Sequence, residues 1–139
     1  MKRFAAVLFL VAAVVGAPMA LARGLVPLVD RSNVAVVTGS GKAVGTEALK
    51  KAIVSGAAAR KWDAAPGADG KSVRATFSAR GKHVVTVDIV PGPNSYSVKY
   101  ADSVNMHYRV EGGAPVIHPS YNQWVDQLIQ AIGGELRKL

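Results

Sequence analysis

Two patterns of apolar and polar residues predict the secondary structure of this chain. Between residues 72 and 110 apolar residues alternate with polar ones, the period of two that a half-buried strand shows. The alternation predicts four strands, at 73–79, 85–89, 96–100 and 104–110. A further strand is predicted at 34–37, after an extended arm at 23–33. The glycine pair at 112 and 113 is expected to end the strands.

Helical spacing occurs in two segments of the chain. Thr46 is predicted to cap a first helix that ends near residues 60–62, and residues 63–70 are predicted to form a loop. Its buried face carries apolar or small residues that would let the helix lie close to a sheet: Leu49, Ala52, Ile53, Gly56 and Ala57.

The last helix has the clearest periodicity. Pro119 suits its first turn, and His118 or Ser120 is expected to cap it. One face of this helix is predicted to be apolar: Tyr121, Trp124, Val125, Leu128, Ile132 and Leu136.

The predicted order is therefore strand, helix, four strands, helix. Consecutive strands joined by short turns are antiparallel, and helices cover the apolar face of such a sheet while the other face meets water. We expect an α+β fold, a two-layer sandwich with both helices on one face of an antiparallel sheet. This order matches the TATA-binding-protein-like topology, which by itself says nothing about function.

The first 22 residues are predicted to be a secretory signal peptide. Lys2 and Arg3 precede a short apolar run, and the small residues Ala20 and Ala22 suit cleavage after Ala22. Residues 23–139 then form a single domain, periplasmic or secreted, with no transmembrane span after cleavage. The chain has no cysteine, which excludes disulfides, a thiol nucleophile and a lipid-modified cysteine at the cleavage site.

Charge favours anionic partners. The formal net charge is +8, and removal of Lys2 and Arg3 with the signal peptide lowers it to +6. An anionic glycan or a lipid headgroup is therefore a candidate ligand. The open sheet face is predicted to carry a basic set, although a simply solvated face would look the same: Arg74, Arg80, Lys99, His107 and Arg109. No aromatic residue is interleaved there, which argues against specific nucleic-acid binding.

A glycine-rich motif at 33–45 looks like the opening of a short-chain dehydrogenase. That enzyme class needs a parallel sheet and a catalytic YxxxK pair. Here an antiparallel meander follows, and Tyr96 and Lys99 would point to opposite faces of a strand. The glycines are therefore interpreted as turn residues, and no cofactor is expected.

Metal binding and triad catalysis are not expected either. His107 and Glu111 share a strand face but would lie roughly 13 Å apart, too far for one metal ion. Ser103 lies near Asp102 and His107 in sequence but lacks a nucleophile-elbow context.

A polar and aromatic cluster is predicted around the start of the last helix. We interpret it as a lock that seats this helix, with His118 and Asn122 bonding the loop after Tyr100. Its members are Tyr100, Ser103, Asn105, His118, Tyr121, Asn122 and Trp124. The alternative is a small hydrolase or nuclease that uses His118 with Tyr100 and Asn122.

Two segments carry a family resemblance. Residues 100–105 fit YxxSxN and residues 117–132 fit IHxxYNxWVxxLxxxI, and the first helix ends in an Ala-Ile…Arg-x-Trp pattern. The chain thereby resembles small exported bacterial proteins known only as hypothetical proteins or lipoproteins. The resemblance implies export and supplies no activity.

The function expected from the sequence is a non-enzymatic exported domain that binds an envelope component or a partner protein. The small hydrolase or nuclease and a proteinaceous inhibitor are the alternatives.

Overall fold

The computed structural model describes residues 24–139, so the predicted signal peptide lies outside the described residues. Two antiparallel sheets and two helices make up the described chain, which confirms the α+β class. The elements in chain order are β1 (Val26–Pro27), β2 (Arg31–Ala35), α1 (Thr46–Ala59), β3 (Asp63–Pro66), β4 (Val73–Ala79), β5 (His83–Gly92), β6 (Ser95–Val104), β7 (Arg109–Glu111), β8 (Ala114–Ile117) and α2 (Ser120–Arg137).

The larger sheet has five strands in the order β2-β6-β5-β4-β3, and the smaller has three in the order β1-β8-β7. Within the larger sheet and the helices, the chain order is strand, helix, four strands, helix, but the four strands are β3 to β6, whereas the prediction omitted β3 and counted a strand at 104–110. The smaller sheet was not predicted. Neither helix within residues 24–139 is long and apolar enough to cross a membrane.

The predicted strand at 104–110 is wrong. β6 continues to Val104 through the predicted turn at 101–103, with a register shift opposite Thr86 and Val87. The chain then leaves the sheet because Asn105 and His107 have left-handed backbones, with φ of 58° and 54°. Gly112 and Gly113 turn the β7–β8 hairpin instead of ending the strands.

Three further boundaries differ from the prediction. The predicted loop 63–70 begins with β3, a short edge strand that pairs with β4 and in which Pro66 is tolerated because the outer edge needs no donor. β2 begins at Arg31, inside the predicted arm, which also contains β1. The N-cap of α1 is Gly45 and not Thr46, and no side chain caps this helix.

One hydrophobic core joins the larger sheet to both helices. The alternating residues of β4, β5 and β6 face it, and Ala75, Val85, Val87 and Ile89 have no exposed surface. The predicted apolar face of α2 is confirmed, with five residues at most 1 % exposed and Trp124 half-buried: Tyr121, Val125, Leu128, Ile132 and Leu136. Burial of this kind contributes about 1.5–3 kcal/mol for each large apolar side chain.

The helices pack together with almost no side chain between them at one point. A Cβ placed on Gly56 of α1 would lie 2.7 Å from the Cα of Ile132 in α2. We expected the small face of α1 to approach the sheet closely, whereas at Gly56 the close neighbour is α2. Glycine is required here by the contact, not by its backbone angles.

A carboxylate organises the turn between β3 and β4. Asp69 Oδ1 accepts hydrogen bonds from the N–H groups of Lys71 and Ser72, both at 2.9 Å, and from Ser72 Oγ at 2.8 Å. The backbone N–H of Ser72 is the largest cause that lowers the pKa of Asp69 to about 2, followed by that of Lys71. The turn is therefore held by the charged form of this side chain.

We expect Gly56→Ala to destabilise the protein by about 2 kcal/mol, because overpacking outweighs a gain in helix propensity of about 1 kcal/mol. Gly134→Ala in α2 is the matched control, since its methyl group would meet only the Arg137 guanidinium, at 4.0 Å. That control should stabilise by about 0.5–1 kcal/mol. Urea unfolding of both variants measures the difference, and equal effects of the two substitutions would disprove the close contact.

The hydrogen bonds of Asp69 predict a pH-dependent turn. Because the pKa falls from 3.8 to about 2 on folding, the contribution to stability is complete above pH 3.8 and is lost as the pH drops through 2. The side-chain carboxyl carbon should show this low pKa in an NMR titration. The stability advantage over Asp69→Asn should shrink across the same window, and a titration of Asp69 at its ordinary value would contradict the prediction.

Candidate functional site

Tyr100 is the centre of the predicted polar and aromatic cluster. Its ring stacks on Tyr108 at 4.4 Å between centroids and meets Tyr121 edge-on at 5.8 Å. Its hydroxyl lies 2.8 Å from Ser103 Oγ, on the same face of β6. Burial raises the pKa of Tyr100, and the hydrogen bond with Ser103 partly offsets that rise. The phenol therefore stays neutral and serves as a hydrogen-bonding and packing group.

Tyr121 lies under this stack at the start of α2. Its side chain has no exposed surface, and its hydroxyl has no hydrogen-bond partner among residues 24–139. Burial is the largest cause that raises the pKa of Tyr121 far above its ordinary value. An ionised Tyr121 would therefore be costly in this position.

Asn122 fastens the beginning of the described chain to its last helix. Its Nδ2 donates to the carbonyl of Pro27 at 3.0 Å, and its Oδ1 accepts from the N–H of Val29 at 3.2 Å. An ion pair between Arg31 and Asp126, at 2.8 Å, lies beside this contact. The structure thus contains a polar lock, but Asn122 bonds the N-terminal arm and not the predicted loop after Tyr100.

The N-cap residue of α2 is Pro119, so neither predicted candidate, His118 or Ser120, occupies that position. His118 lies one residue earlier, and its Nδ1 lies 3.1 Å from the backbone nitrogen of Ser120, which can only donate, so Nδ1 accepts. The backbone N–H of His118 donates to the carbonyl of Met106 at 2.9 Å, which ties the helix start to the segment after Tyr100. Both groups of His118 therefore hold the start of α2.

Asn105 and His83 hold the segment after β6 from its other side. His83 Nδ1 lies 2.9 Å from the carbonyl of Asn105 and must donate to it. Asn105 Nδ2 donates to the carbonyl of Lys82 at 2.7 Å. The rings of His83 and His118 lie 6.0 Å apart between centroids. These contacts keep the left-handed backbone of Asn105 in place.

Trp124 belongs to a different group of rings. Phe77 lies between Trp124, at 5.0 Å, and Trp62, at 5.3 Å. The three rings pack the end of α1 against the start of α2 and the sheet. Trp124 is therefore a packing residue apart from the Tyr100 stack.

The contacts around His118 differ from those that catalysis would use. Among the hydrogen bonds of residues 24–139, none joins His118 to Tyr100 or Asn122. The described chain also has no group of three His, Asp or Glu side chains that could hold a metal ion. What this cluster does is fix the register between the arm, the segment after β6 and α2.

The predicted basic face is only partly assembled. Arg74 forms two hydrogen bonds with Asp88, at 2.9 and 3.1 Å, and Lys99 pairs with Asp88 on the other side in the sheet register. Asp88 raises the pKa of Arg74 through these bonds. The next cross-strand pair towards the β4–β5 turn on this face is Thr76 with Thr86, whose hydroxyl oxygens lie 3.3 Å apart. This part of the face is charged but mixed in sign.

The other three members of that set lie elsewhere. Arg80 occupies the β4–β5 turn, with φ of 55°, and His107 follows β6 in the left-handed segment. Arg109 belongs to the smaller sheet and pairs with Glu111 at 2.7 Å. The five residues therefore do not form one surface.

The strand register places Arg80 at the same end of the larger sheet as three further cations, and we name these four residues the cationic end: Arg60, Lys61, Arg80 and Lys82. All are exposed, and none has a carboxylate partner within the part of the chain that the structure describes. Asp63 pairs with Thr76, so the chain preceding Asp63 runs towards the β4–β5 turn. The Trp62–Phe77 contact, at 5.3 Å, fixes the same end.

Sequence reasoning missed this grouping because it predicted residues 63–70 as a loop. Two basic doublets, at 60–61 and around Gly81, were visible in the sequence. Only the pairing of β3 with β4 brings them to one end of the sheet.

The glycine-rich segment 38–45 packs on the end of α2. A Cβ on Gly39 would collide with the carbonyl oxygen of Arg137, and Gly41 has a left-handed φ of 72°. Thr38 Oγ1 donates to the carbonyl of Lys42 at 2.8 Å. Gly41 therefore fits the interpretation of a turn residue, whereas Gly39 is required by packing, which the sequence did not predict.

A groove of about 560 Å³ lies between α1 and the β3–β4 turn, and its lining includes Val54, Pro66 and Val73. Lys50 spans it, because its Nζ donates to the carbonyl of Gly70 at 3.0 Å and lies 3.7 Å from Glu47. The predicted site residues do not line this groove.

Comparison with known proteins gives no identity to this arrangement: no family model, curated protein or solved structure matches the chain. A function therefore has to be argued from its own residues.

The hydrogen bond between His118 Nδ1 and the N–H of Ser120 predicts that His118 stabilises the start of α2. His118→Ala removes the acceptor for the Ser120 N–H and should lower the free energy of unfolding by about 1 kcal/mol. His118→Asn places an amide oxygen where Nδ1 lies and should retain most of that stability. Thermal and urea unfolding measure both, and an unchanged stability of His118→Ala would contradict this role.

Proposed function

We propose that this chain is an exported, non-enzymatic domain that binds an anionic component of the cell envelope through the cationic end. The observation that carries the proposal is the gathering of Arg60, Lys61, Arg80 and Lys82 at one end of the larger sheet with no described acidic partner. Other basic residues of the described chain are paired with carboxylates, such as Arg31 with Asp126 and Arg74 with Asp88.

Two acidic residues lie nearest to the cationic end in the sheet register, Asp63 and Asp102, which flank the Thr76–Thr86 pair. Thr76 lies three residues before the β4–β5 turn, or roughly 10 Å along a strand. Asp63 is only two residues from Lys61 in sequence, so it offsets part of the positive charge there. No ion pair among the described residues joins Asp63 to the four cations, and the net charge of the cationic end stays positive.

A binding role agrees with the way the polar cluster is used. The side chains of Asn122, His118 and Asn105 bond backbone groups, and Tyr100 bonds Ser103. A hydrolase or nuclease that used His118 with Tyr100 and Asn122 would need these three side chains to converge on a substrate. Here Tyr100 bonds Ser103 and Asn122 bonds the N-terminal arm, and this arrangement supports binding over catalysis.

With this function we propose a periplasmic or secreted location and membership of the exported family that shares the IHxxYNxWVxxL motif. The signal-peptide pattern of residues 1–22 and the motif at 117–128 support both. A TATA-binding-protein-like topology is proposed for the larger sheet with its helices, supported by their chain order.

The test is binding to phosphatidylglycerol vesicles and to lipopolysaccharide at several salt concentrations. Each cation near an anionic surface contributes about 1 kcal/mol, so Lys61→Gln with Lys82→Gln should weaken binding by roughly thirtyfold. A higher salt concentration should also weaken binding by the wild-type protein, because salt screens the charges.

The matched control is Lys51→Gln with Lys71→Gln, which removes the same charge from exposed positions on α1 and the β3–β4 turn. This pair should bind nearly as the wild type does. An equal loss in both double variants would show that only net charge matters, and no binding at low salt would overturn the proposal.

A further inference from the structure

The outer edge of the larger sheet is open at the end of β2. β2 is the first strand in the sheet order, and no other strand within residues 24–139 pairs with its outer side. The N–H of Val36 donates inward to the carbonyl of Asn94 at 3.1 Å. Because backbone groups alternate along a strand, those of Ala35 face outward, and an extended continuation past Val36 directs those of Val37 the same way, although β2 itself ends at Ala35.

The remaining edges of this sheet are protected against strand pairing. β3 has only four residues and ends in Pro66. The first half of β2 carries a register irregularity between Arg31 and Val34, with Asn33 in a left-handed conformation at φ of 54°. Residues 35–37 therefore form the segment of this sheet's edges without such a device.

An apolar side chain and two grooves accompany the open segment. Val37 is 63 % exposed, the highest value among the large apolar residues that the structure describes. A groove of about 270 Å³ on one side is lined by residues that include Val34, Ile129 and Arg137. A second groove of about 270 Å³ is lined by residues that include Thr38 and Lys42.

The residues that directly follow the segment are fixed by packing and by a hydrogen bond. Gly39 packs directly on the Arg137 carbonyl, and Thr38 is only 8 % exposed while its hydroxyl bonds the carbonyl of Lys42. Binding to a preformed edge avoids much of the entropy cost of ordering a loop.

Charge determines which occupant fits. Lys42 and Arg137 line the two grooves, and neither has a carboxylate partner among the described ion pairs. A second copy of this chain would bring the same two cations against them. A segment that carries carboxylates would instead be attracted.

We infer that residues 35–37 are a docking edge for an extended, acidic segment of a partner protein, which adds a strand to β2. Outward backbone groups of Ala35 and Val37 would pair with that segment, its apolar residues would cover Val37, and its carboxylates would meet Lys42 and Arg137. This site is separate from the cationic end and does not depend on it.

The experiment uses the full-length chain and two synthetic peptides, one alternating valine with glutamate and one alternating valine with lysine. NMR titration with the glutamate peptide should shift and protect from exchange the amides of Ala35 and Val37. The lysine peptide should bind at least about tenfold more weakly. Equal affinity for both peptides would overturn the inference.

Two exposed valines supply matched variants. Val37→Glu should weaken binding of the glutamate peptide by about tenfold or more, because it removes the apolar contact and places a carboxylate against those of the peptide. Val110→Glu makes the same charge change at a residue that is 61 % exposed on β7, against 63 % for Val37, and should leave the affinity nearly unchanged. Unchanged binding by Val37→Glu would place the peptide elsewhere and overturn the inference.

Other occupants give distinct results. Sedimentation that shows a dimer abolished by Val37→Glu would assign the edge to a second copy and overturn the inference. Protection of the Ala35 and Val37 amides in the free chain would show that the chain covers its own edge, which would also overturn it. Binding that Lys61→Gln with Lys82→Gln abolishes while Val37→Glu does not would assign the peptide to the cationic end and overturn the docking edge.

Discussion

The direct approach of α1 to α2 at Gly56 is the constraint on which the arrangement of the helices depends. With no side chain between Gly56 and the backbone of Ile132, the two helices can cover one face of the larger sheet as a single layer. In this position α2 and the residue before Pro119 make three contacts with the rest of the chain. The backbone N–H of His118 bonds the Met106 carbonyl, Asn122 bonds the arm, and the Arg137 carbonyl packs on Gly39. The polar lock and the rigid segment beside Val37 therefore both depend on this contact.

Burial patterns along the chain predicted the core well, because alternation and helical spacing report directly which side chains avoid water. The strands β4 and β5 and the apolar face of α2 follow from residues such as Val85, Val87 and Leu128. The failures lie where backbone conformation overrides side-chain pattern. The apolar residues between 104 and 110 alternate as a strand requires: Val104, Met106, Tyr108 and Val110. The strand is nevertheless broken, because Asn105 and His107 between them have left-handed backbones. Asparagine and histidine occur in many backbone conformations, so the sequence does not identify this one.

The candidate site shows the same division between local and tertiary information. The involvement of His118 at the start of α2 could be predicted because its hydrogen bond joins residues two apart, His118 and Ser120. The partners of Asn122 could not, since Pro27 and Val29 lie more than 90 positions away. The cationic end likewise needs the pairing of β3 with β4, and the outward-facing backbone at Val37 needs the strand order of the sheet. The positions of the cationic end and of this open edge are therefore not determined by the residues next to them in sequence.

The bonds between the arm and α2 also determine when folding can finish. β1 pairs with β8, and Asn122 joins Pro27 across 95 positions and Val29 across 93. A chain that emerges from the ribosome, or from a translocation pore, with its N-terminus first must therefore wait for β8 before β1 has a strand partner, and for the first turn of α2 before Asn122 can bond the arm. The larger sheet's meander can form earlier, whereas the arm is ordered last although it is made first. Completion of this fold is thus coupled to arrival of the final helix.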